Sequence, residues 1–474
     1  MPRKVRRKGP GRFSEEAQIA LRIRQDPPWF FRNVLGYEPW SMQERIALSV
    51  RDNRRTAVPS CHGAGKSKVG AGLCLWFGIA FPGCKIATTA PSFRQVKNII
   101  WANMRQMHER ALMPLGGELF TTRWEMDPEW YAFGFTTKDP DAVSGIHAPE
   151  IFILLDEAAG ILNPIWKAIE GLTSSAFPRV LSIGNPTDPT GGFKKECDDL
   201  AATNPEALIR ISAFDTPNLQ AGKIVIPGLT TQEWVEERKR DWGEESPLYV
   251  AKVLGEFPDQ ADDALIRMSW AEKAKVAEFD DSGERVLAVD VARFGRNRTV
   301  AYLREGRRYR RHLRKMGLDT VQVANLVWEL IEDLEPDRVV IDDSGVGGGV
   351  TDQIRDKIRS AGRGPEIDAF NGQNQANDPD KYSNRRTEGY WTLRGDFREG
   401  LVDIEDGDES DDVISQLTSI RYRTRNLGRQ EVLQIETKDE MERRGMPSPD
   451  DADAIMMSRA PAQQSKVVRL AWGS

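Results

Sequence analysis

The segment SCHGAGKS, residues 60 to 67, restricts the fold of this 474-residue chain more than any other stretch. An apolar, strand-like segment, RRTAVPS, leads into it, and an apolar, helix-like segment, KSKVGAGLCLWFGIAF, continues from it. A glycine-rich loop between a strand and a helix presents backbone N–H groups and a helix N-terminus to an anion, as in phosphate-binding loops. Ser60 stands where the usual G-x-x-x-x-G-K-[ST] pattern has its first glycine, so we expect a positive φ to be harder to reach there.

The residues of this loop have separate expected roles. Gly63 and Gly65 let the backbone approach the phosphates, Lys66 reaches the β- and γ-phosphates, and the Ser67 hydroxyl ligates Mg²⁺. A glycine-rich turn without a ligand is the alternative at this point. The candidate nucleotide-binding residues of the loop are Ser60, Gly63, Ala64, Gly65, Lys66 and Ser67.

The segment IFILLDEA, residues 151 to 158, is typical of a buried strand that ends in two carboxylates. A P-loop ATPase needs one carboxylate at this place to hold Mg²⁺ and a second to polarise the attacking water. We assign these roles to Asp156 and Glu157, so the two motifs together predict ATP hydrolysis. Another strand, RVLSIGNPT, ends near Asn185, which could sense the γ-phosphate. Gln43 could read the adenine, although a lone Gln on a helix is more often at the surface.

The order of strand-like and helix-like segments predicts an α/β fold. In the first half, short apolar strands alternate with helices, which is typical of a mainly parallel sheet covered on both faces. The length suits two domains, since a single core rarely grows beyond about 250–300 residues. Changes in composition predict a basic, flexible arm at 1–30, a P-loop ATPase domain at 31–257, a linker at 258–283, a second α/β domain at 284–460 and a tail at 461–474.

Composition excludes some locations and classes of protein. The sequence has no apolar run of about 18 residues and no apolar stretch behind its N-terminal charges, so we predict no membrane span, no secretory signal and a cytoplasmic protein. The four cysteines form neither a C-x-x-C pair nor a metal-ligand spacing, which favours reduced, buried thiols. The net charge of −6 argues weakly against a basic surface and leaves local nucleic-acid contacts open.

The second half carries acidic residues at the ends of strand-like segments. Asp290 lies inside VLAVDVA and Asp342 ends RVVID, while Asp450 and Asp451 open the apolar helix of PSPDDADAIMM. Carboxylates at neighbouring strand ends and at a helix start can converge on two divalent cations, which activate water and stabilise the leaving oxygen of a phosphodiester. We therefore predict a metal-dependent nuclease centre of Asp290, Asp342 and one of Asp450 or Asp451. Asp453 is expected at the helix surface or as a partner of the helix dipole.

A strongly basic segment lies between the first two strands of this half. REGRRYRRHLRK, residues 304 to 315, reads as a hairpin beside the predicted metal site. Arginine and lysine side chains there are well placed to hold a DNA backbone. We therefore predict that this hairpin contacts DNA.

The order of these motifs resembles one known family. SCHGAGKS, IFILLDEA, LSIGNPT, VLAVDVARFGRNRT, VVIDDSGVGGGV and PDDADAIM follow one another as in the large terminase subunits of tailed bacteriophages, over roughly residues 30 to 460. The resemblance implies an N-terminal P-loop ATPase domain that translocates double-stranded DNA into a capsid. It also implies a C-terminal RNase H-like nuclease domain that cuts concatemeric genomes. The implied cofactors are ATP and Mg²⁺, with Mn²⁺ as an alternative in the nuclease site.

The resemblance further implies partners and a place of action. A small terminase subunit, a portal protein and the capsid would join a pentameric motor in the host cytoplasm, at the capsid portal. One departure concerns the arginine finger that the family often places just ahead of the second ATPase motif. KDPDAVSGIHAPEIFILLDEA contains no arginine, so Arg94 or Arg123 would have to serve from elsewhere.

Two other functions fit parts of the sequence. One is an ATP-dependent DNA helicase or translocase whose RNase H-like domain is inert, but residues 284–460 contain no second phosphate loop of the kind a two-domain helicase needs. The other is a DNA-binding scaffold with degenerate sites, against which the intact Lys66, Ser67, Asp156 and Glu157 argue.

Overall fold

The computed structural model describes residues 14–136, 146, 148–258, 263–279, 282–292, 298–344, 347–405, 408–427 and 430–463. The chain divides into two compact units. The first comprises Met1–Val235 with Ala251–Phe257, and the second comprises Glu236–Val250 with Pro258–Ser474. Each unit has its own α/β sheet.

The first unit is built on a seven-stranded sheet. Its strands are β1 (Arg55–Pro59), β2 (Lys85–Ala90), β3 (Glu118–Leu119), β4 (Arg123–Asp127), β5 (Trp130–Thr136), β6 (Glu150–Leu155) and β7 (Phe177–Gly184). The order is β1-β7-β6-β2-β5-β4-β3. The first five strands in this order run parallel, and β4 and β3 are added antiparallel at one edge. The prediction of a mainly parallel sheet is confirmed.

Helices cover this sheet and connect its parallel strands. Helix Lys66–Ala80 follows the glycine loop, and 12 of its 15 residues are buried, which explains its nearly continuous apolar sequence. Among the described residues, the other α-helices of this unit are Glu15–Gln25, Pro27–Asn33, Ser41–Asp52, Phe93–Gln95, Trp101–Arg110, Asn163–Leu172, Gly192–Thr203 and Pro217–Ala221. Short 3-10 turns lie at Ala158–Gly160, Pro205–Ala207 and Ala213–Asp215, and π-turns lie at Val96–Ile100 and Val250–Leu254. Helix Gln232–Trp242 crosses the boundary between the two units.

The second unit contains a six-stranded sheet and a separate hairpin. The strands are β8 (Arg285–Asp290), β9 (Arg298–Glu305), β10 (Arg308–Met316), β11 (Arg338–Asp342), β12 (Glu366–Phe370), β13 (Asp403–Ile404), β14 (Tyr422–Leu427) and β15 (Gln430–Ile435). The sheet order is β12-β11-β8-β9-β10-β13, and β14 pairs with β15 alone. Strands β8, β9 and β10 form an antiparallel meander, while β11 and β12 run parallel to β8. This is the strand arrangement of the RNase H-like fold, so the predicted fold class is confirmed.

The second unit also contains several α-helices. Helix Asp450–Arg459 packs against β8 and β9, and nine of its ten residues are buried. The others are Met268–Val276, Thr320–Leu334, Gly347–Ala361, Arg385–Glu399, Asp408–Ser419 and Lys438–Arg443, and a short turn lies at Pro247–Tyr249. In the described part of the chain, no helix combines the length and apolar character needed to cross a bilayer. All four cysteines are free and buried.

The structure corrects two of the predicted segments. Residues 15–30 of the predicted arm form helices, and Phe30 is fully buried, because the segment around PPWFF supplies apolar anchors. Within the predicted linker, Met268, Ala271 and Ala274 are buried on one helix of the second unit. The remainder of the arm, residues 1–13, and most of the tail, residues 464–474, lie outside the described residues.

Candidate nucleotide and nuclease sites

The glycine loop connects β1 to helix Lys66–Ala80 and turns through two positive φ angles. Gly63 has φ 67° and Gly65 has φ 74°, while Ser60 is not among the residues with positive φ. Ser60 instead continues the strand, because its N–H donates to the Gly184 carbonyl over 3.0 Å. The positive φ that we expected to be harder for Ser60 to reach is not needed, because the first position of the pattern is extended here and a Cβ is tolerated.

The side chain of Gln43 is hydrogen-bonded to the backbone of the loop. Its Nε2 donates to the Gly65 carbonyl over 2.9 Å, and its Oε1 accepts from the Trp40 N–H over 3.2 Å and from the Tyr37 hydroxyl. Trp40 Nε1 in turn donates to the Ala64 carbonyl over 3.3 Å. Gln43 is only 3% exposed. Because both ends of its amide are engaged, we reassign Gln43 from adenine recognition to positioning of the loop.

Asn185 follows β7 and faces the opposite side of the loop. Its Nδ2 donates to the Ser60 carbonyl over 2.7 Å, and its side chain is buried. Its backbone N–H bonds the carboxylate of Glu157. Asn185 therefore links the start of the loop to Glu157, and its side-chain amide is engaged with the protein.

Asp156 and Glu157 follow β6 directly beside the start of helix Lys66–Ala80. The Ser67 hydroxyl donates to Asp156 Oδ1 over 3.2 Å, and Lys66 Nζ lies 3.5 Å from Glu157 Oε1. Ser67 and Asp156 thus direct two oxygens to one place, which suits Mg²⁺, a cation that prefers oxygen ligands. Mg²⁺ held there would neutralise charge on the phosphates.

The two carboxyl groups of this pair differ in their affinity for protons. Burial, together with the charge of Glu157, raises the pKa of Asp156 to about 7. Burial alone would also raise the pKa of Glu157, but the charges of Lys66, Lys252 and His62 outweigh it and lower that pKa. Glu157 also adopts an unusual left-handed backbone, with φ 47°. Strained backbone of this kind clusters at functional sites, and an ionised Glu157 can accept a proton from water.

Gly63→Ala should disturb the loop without changing the carboxylates of Asp156 and Glu157. A Cβ at Gly63 would lie 2.5 Å from Thr230 Oγ1, and its φ of 67° is unfavourable for Ala. We expect weaker nucleotide binding and a loss of about 1–3 kcal/mol in the free energy of unfolding. Gly171→Ala is the control, because a Cβ there meets nothing within 4 Å. Equal nucleotide affinity and thermal unfolding for both variants would contradict this loop geometry.

In the second unit, β8 and β11 bring two predicted acids together. These strands run parallel, with Val289 opposite Ile341, so Asp290 and Asp342 end neighbouring strands at the same edge of the sheet. Asp290 is 4% exposed, and burial raises its pKa well above the usual range. Burial also raises the pKa of Asp342, although the Ser344 N–H donates to its Oδ1 over 2.9 Å.

Helix Asp450–Arg459 adds two more acids to this edge. Asp450 and Asp453 are three residues apart, so they share one face of the helix. Lys438 connects them to β8: its Nζ lies 2.9 Å from Asp453 Oδ2, 3.4 Å from Asp290 Oδ2 and 3.9 Å from Asp450 Oδ1. We call Asp290, Asp342, Asp450 and Asp453 the carboxylate cluster. Lys438 carries no motif signal, and sequence reasoning missed it.

Asp453 is a buried member of the cluster, contrary to our expectation of a surface position. Its Oδ1 accepts from Arg386 Nε over 3.0 Å and from the Tyr390 hydroxyl over 2.7 Å. Burial opposes its ionisation, but the charges of Arg386 and Lys438 prevail and lower its pKa to about 2. Asp453 is therefore a fixed negative charge within the cluster.

The carboxylate cluster has the donor set of a divalent metal site. Within the residues that the structure describes, no three His, Cys, Asp or Glu side chains stand close enough as they are to enclose a metal ion. The Lys438 ammonium group lies among the acids, where a metal ion would otherwise bind. Its side chain is 40% exposed, so it has a route to solvent. If Lys438 withdraws, Asp290, Asp342, Asp450 and Asp453 offer the oxygen ligands that Mg²⁺ and Mn²⁺ prefer.

Asp451, the alternative to Asp450, lies elsewhere. It is fully buried, and it accepts from the Tyr302 hydroxyl over 3.1 Å, from Gln416 Nε2 over 2.9 Å and from Arg311 Nη1 over 3.3 Å. Arg314 Nη2 lies 3.4 Å from its second oxygen. Adjacent helix positions point about 100° apart, so Asp450 and Asp451 cannot share one face. We therefore reassign Asp451 from metal ligand to a structural role, and Asp453 takes its place among the candidate ligands.

Asp451→Asn is expected to destabilise the second unit and to spare cleavage by the protein that remains folded. Removing the charge of Asp451 breaks a buried ion pair with Arg311, whose other carboxylate neighbour, Asp412, lies farther away at 4.0 Å, so the free energy of unfolding should fall by on the order of 3 kcal/mol. The matched control Asp450→Asn should reduce plasmid cleavage with a much smaller shift in thermal unfolding. Asp451→Asn with parental stability and no cleavage would return Asp451 to the metal site.

The basic segment 304–315 forms parts of β9 and β10, and several of its arginines are engaged within the unit. Arg304 pairs with Glu284 over 2.6 Å, Arg308 with Asp403 over 3.1 Å and Arg311 with Asp451 over 3.3 Å, while Arg314 bonds Asp412. These ion pairs connect β9 and β10 to other segments of the second unit. Arg307 and Lys315 of the segment are exposed, so contact between this segment and DNA stays a prediction.

The sequence has a curated relative among bacteriophage proteins. It is 24% identical over 357 residues to the probable large terminase subunit of Enterobacteria phage P7, and the match covers 68% of this chain and 69% of the relative. This chain resembles a large terminase subunit. The resemblance inferred from the order of motifs is thereby confirmed. No family model matches the sequence.

Solved large terminase structures are also similar to this chain. The nuclease domain of the large terminase subunit gp2 of bacterial virus Sf6 is 22% identical, with a TM-score of 0.38, and the match covers 42% of this chain and all of that domain. The large terminase of a thermophilic bacteriophage is 13% identical, with a TM-score of 0.40, and the match covers 93% of this chain and 97% of that protein.

Proposed function

We propose that this protein is the motor and nuclease subunit of a phage DNA-packaging machine. The first unit hydrolyses ATP with Mg²⁺ to translocate double-stranded DNA into a capsid, and the second unit cleaves concatemeric DNA with Mg²⁺ or Mn²⁺. The observation that carries the proposal is the presence in one chain of two sites with different chemistry. In the first site, Lys66 of the phosphate loop lies 3.5 Å from Glu157. In the second site, Lys438 lies 3.4 Å from Asp290 and 2.9 Å from Asp453 of the carboxylate cluster.

In the first site, the residues divide the work of hydrolysis. Lys66 and the loop backbone bind the phosphates, Ser67 and Asp156 hold the cation, and Glu157 orients the attacking water and accepts its proton. In the second site, Asp290, Asp342, Asp450 and Asp453 would hold divalent cations, which would supply the polarisation of water and of the scissile phosphate. The proposed partners are double-stranded DNA, a small terminase subunit, the portal and the capsid, around a pentamer at the portal in the host cytoplasm.

The runner-up function is an ATP-dependent helicase or translocase with an inert second unit. The carboxylate cluster argues against it, because four acids, of which Asp290, Asp450 and Asp453 are buried, form the oxygen-rich donor set of a divalent cation site. A scaffold with degenerate sites is opposed by the intact Lys66, Ser67, Asp156 and Glu157.

Two assays on the full chain separate these functions. The full chain is used because the second unit begins ahead of the predicted nuclease domain. It includes Glu236–Val250, and Trp242 Nε1 in that segment donates to Asp412 over 3.1 Å. Incubation with supercoiled plasmid and Mg²⁺ or Mn²⁺ should give cut DNA, and EDTA should prevent it. With ATP, the protein should displace a third strand from a triplex without separating the duplex. Strand separation with no cleavage under either metal would favour the helicase.

A further inference from the structure

Aromatic side chains surround one arginine of the second unit. Arg394 extends from helix Arg385–Glu399, and its guanidinium carbon lies 4.8 Å from the ring centroid of Trp391 and 5.4 Å from that of Trp270. The ring centroid of Tyr422, the first residue of β14, is 5.9 Å away. Three separate elements of the unit therefore bring an aromatic ring to the same cation.

A second arginine shares one of these rings. The guanidinium carbon of Arg267 lies 5.5 Å from the Trp270 centroid, and Arg267 directly precedes helix Met268–Val276. Trp391 and Tyr422 also contact each other edge to face, with their centroids 5.0 Å apart. An aromatic ring that packs on the flat side of a guanidinium group fixes its plane and leaves the N–H groups at its edge accessible to an anion. We call Arg267, Arg394, Trp270, Trp391 and Tyr422 the arginine–aromatic cluster.

The two arginines of this cluster differ from their neighbours in having no acidic partner. Arg385 and Arg386, on the same helix as Arg394, pair with Asp368 over 2.8 Å and with Asp453 over 3.0 Å. Within the described ranges of the chain, the side chains of Arg267 and Arg394 form no ion pair and donate no hydrogen bond. Arg267 is exposed and Arg394 is half-buried, so an anion from solution can reach both.

The helix that carries Arg394 also contacts the carboxylate cluster. Arg386 Nε and the Tyr390 hydroxyl both donate to Asp453 Oδ1. Arg394 follows Tyr390 by four residues, so it lies one turn farther along the same side of the helix. The eight residues from Arg386 to Arg394 correspond to about 12 Å along the helix axis. Successive phosphates of one DNA strand are about 3.4 Å apart along a duplex axis, so a duplex that runs along this helix from the carboxylate cluster reaches Arg394 within about four base pairs.

We propose that the arginine–aromatic cluster binds the phosphate backbone of the DNA beside the position of cleavage. This inference rests on the proposed nuclease function and adds a DNA contact outside the metal site. A guanidinium group presents two parallel N–H donors to a phosphate, and rings that already hold its plane reduce the entropy lost on binding. Such a contact positions the duplex and carries no sequence information of its own.

Arg394→Met in the full chain tests this contact, because Met keeps an unbranched apolar side chain against the rings and removes the charge. The affinity for a fluorescent duplex oligonucleotide, measured with EDTA to prevent cleavage, should fall by about fivefold. The slope of log affinity against log salt concentration should become shallower by about one. The cleavage rate at saturating plasmid should stay close to the parental rate, since Arg394 is not a metal ligand. Arg394→Lys keeps the charge and should keep the slope.

Two further variants control for net charge and for folding. Arg359→Met removes an exposed arginine that pairs with Asp356 over 3.0 Å, and it should bind DNA like the parent. Arg267→Met changes an exposed side chain and should reduce affinity and slope as Arg394→Met does. Parental affinity and slope in both cluster variants would overturn the inference. A joint loss of thermal stability and affinity in Arg394→Met that Arg394→Lys fails to restore would also overturn it, because the cluster would then be structural.

The remaining outcomes separate this inference from its alternatives. An acidic protein surface offers carboxylates to the same arginines, so binding of a polyglutamate peptide is measured in parallel. Peptide binding that Arg394→Met abolishes while DNA binding is unchanged would assign the cluster to a protein partner and overturn the DNA contact. Unchanged DNA binding by a chain that still cuts plasmid overturns this inference alone. Absence of cleavage by the unmodified chain, with Mg²⁺ and with Mn²⁺, overturns the nuclease function and this inference with it.

Discussion

Glu157→Gln is expected to slow ATP turnover by about 100- to 10,000-fold while nucleotide binding stays close to the parental value. Gln has nearly the size of Glu and can still accept a hydrogen bond, so the bound state should be little disturbed. It cannot accept a proton from water, however, so the chemical step loses its base. Phosphate release measures the turnover, and displacement of a fluorescent ATP analogue measures the binding.

Two further variants serve as comparisons for Glu157→Gln. Lys66→Ala should weaken nucleotide binding itself, because Lys66 is the loop residue that reaches the phosphates. Glu150→Gln should hydrolyse ATP like the parent, since Glu150 begins the strand β6, which leads to Asp156 and Glu157 at its far end. Hydrolysis by Glu157→Gln at the parental rate would show that the base lies elsewhere.

Asp290→Asn should abolish plasmid cleavage while ATP hydrolysis persists in the same preparation. Asn keeps the size of Asp but removes a negative charge, so the affinity for divalent cations and the activation of water fall together. Folding should survive, because the ionised Asp290 is disfavoured by burial and a neutral side chain relieves that cost. Gel electrophoresis of supercoiled plasmid, with Mg²⁺ and with Mn²⁺, measures cleavage.

Asp343→Asn is the matched control for the nuclease site. Asp343 directly follows Asp342, and adjacent residues of an extended chain point to opposite sides. A Cβ built at Gly348 lies 3.6 Å from Asp343 Oδ1, which places this carboxylate beside helix Gly347–Ala361. Asp342→Asn should therefore lose cleavage and Asp343→Asn should keep it. Full cleavage by Asp290→Asn would refute the nuclease assignment.

The phosphate loop and the second ATPase motif were predictable because their signals are local. A buried strand, two glycines, Lys66 and Ser67 define the loop within a few residues, and Asp156 and Glu157 end another buried strand. The exception is Ser60, where the sequence indicated that a positive φ would be harder to reach and did not show that none is needed. Its backbone conformation depends on pairing with Gly184, which lies far away in the chain.

The two members of the carboxylate cluster that end strands could be predicted from the sequence, whereas the members on the helix could not all be predicted. Asp290 and Asp342 follow from apolar strands that end in acids. The helix of PSPDDADAIMM is buried on nearly all sides, so its apolar residues do not show which face meets β8. The choice between Asp451 and Asp453 depends on that face, and the sequence pattern gives no basis for it.

Lys438 had no signal in the sequence at all. It lies in TKDEMERR, which reads as an exposed helix, yet its Nζ is 3.4 Å from Asp290 Oδ2. Such a residue acquires its role from tertiary contacts, which local patterns do not encode.

The central claim is that one chain carries two independent catalytic sites, and a crossed assay tests it most directly. ATP hydrolysis and plasmid cleavage are measured on the same preparations of the parent chain, Glu157→Gln and Asp290→Asn. We predict that Glu157→Gln loses only hydrolysis, with cleavage assayed without ATP, and that Asp290→Asn loses only cleavage. Loss of both activities in both folded variants, or loss of neither, would contradict the account.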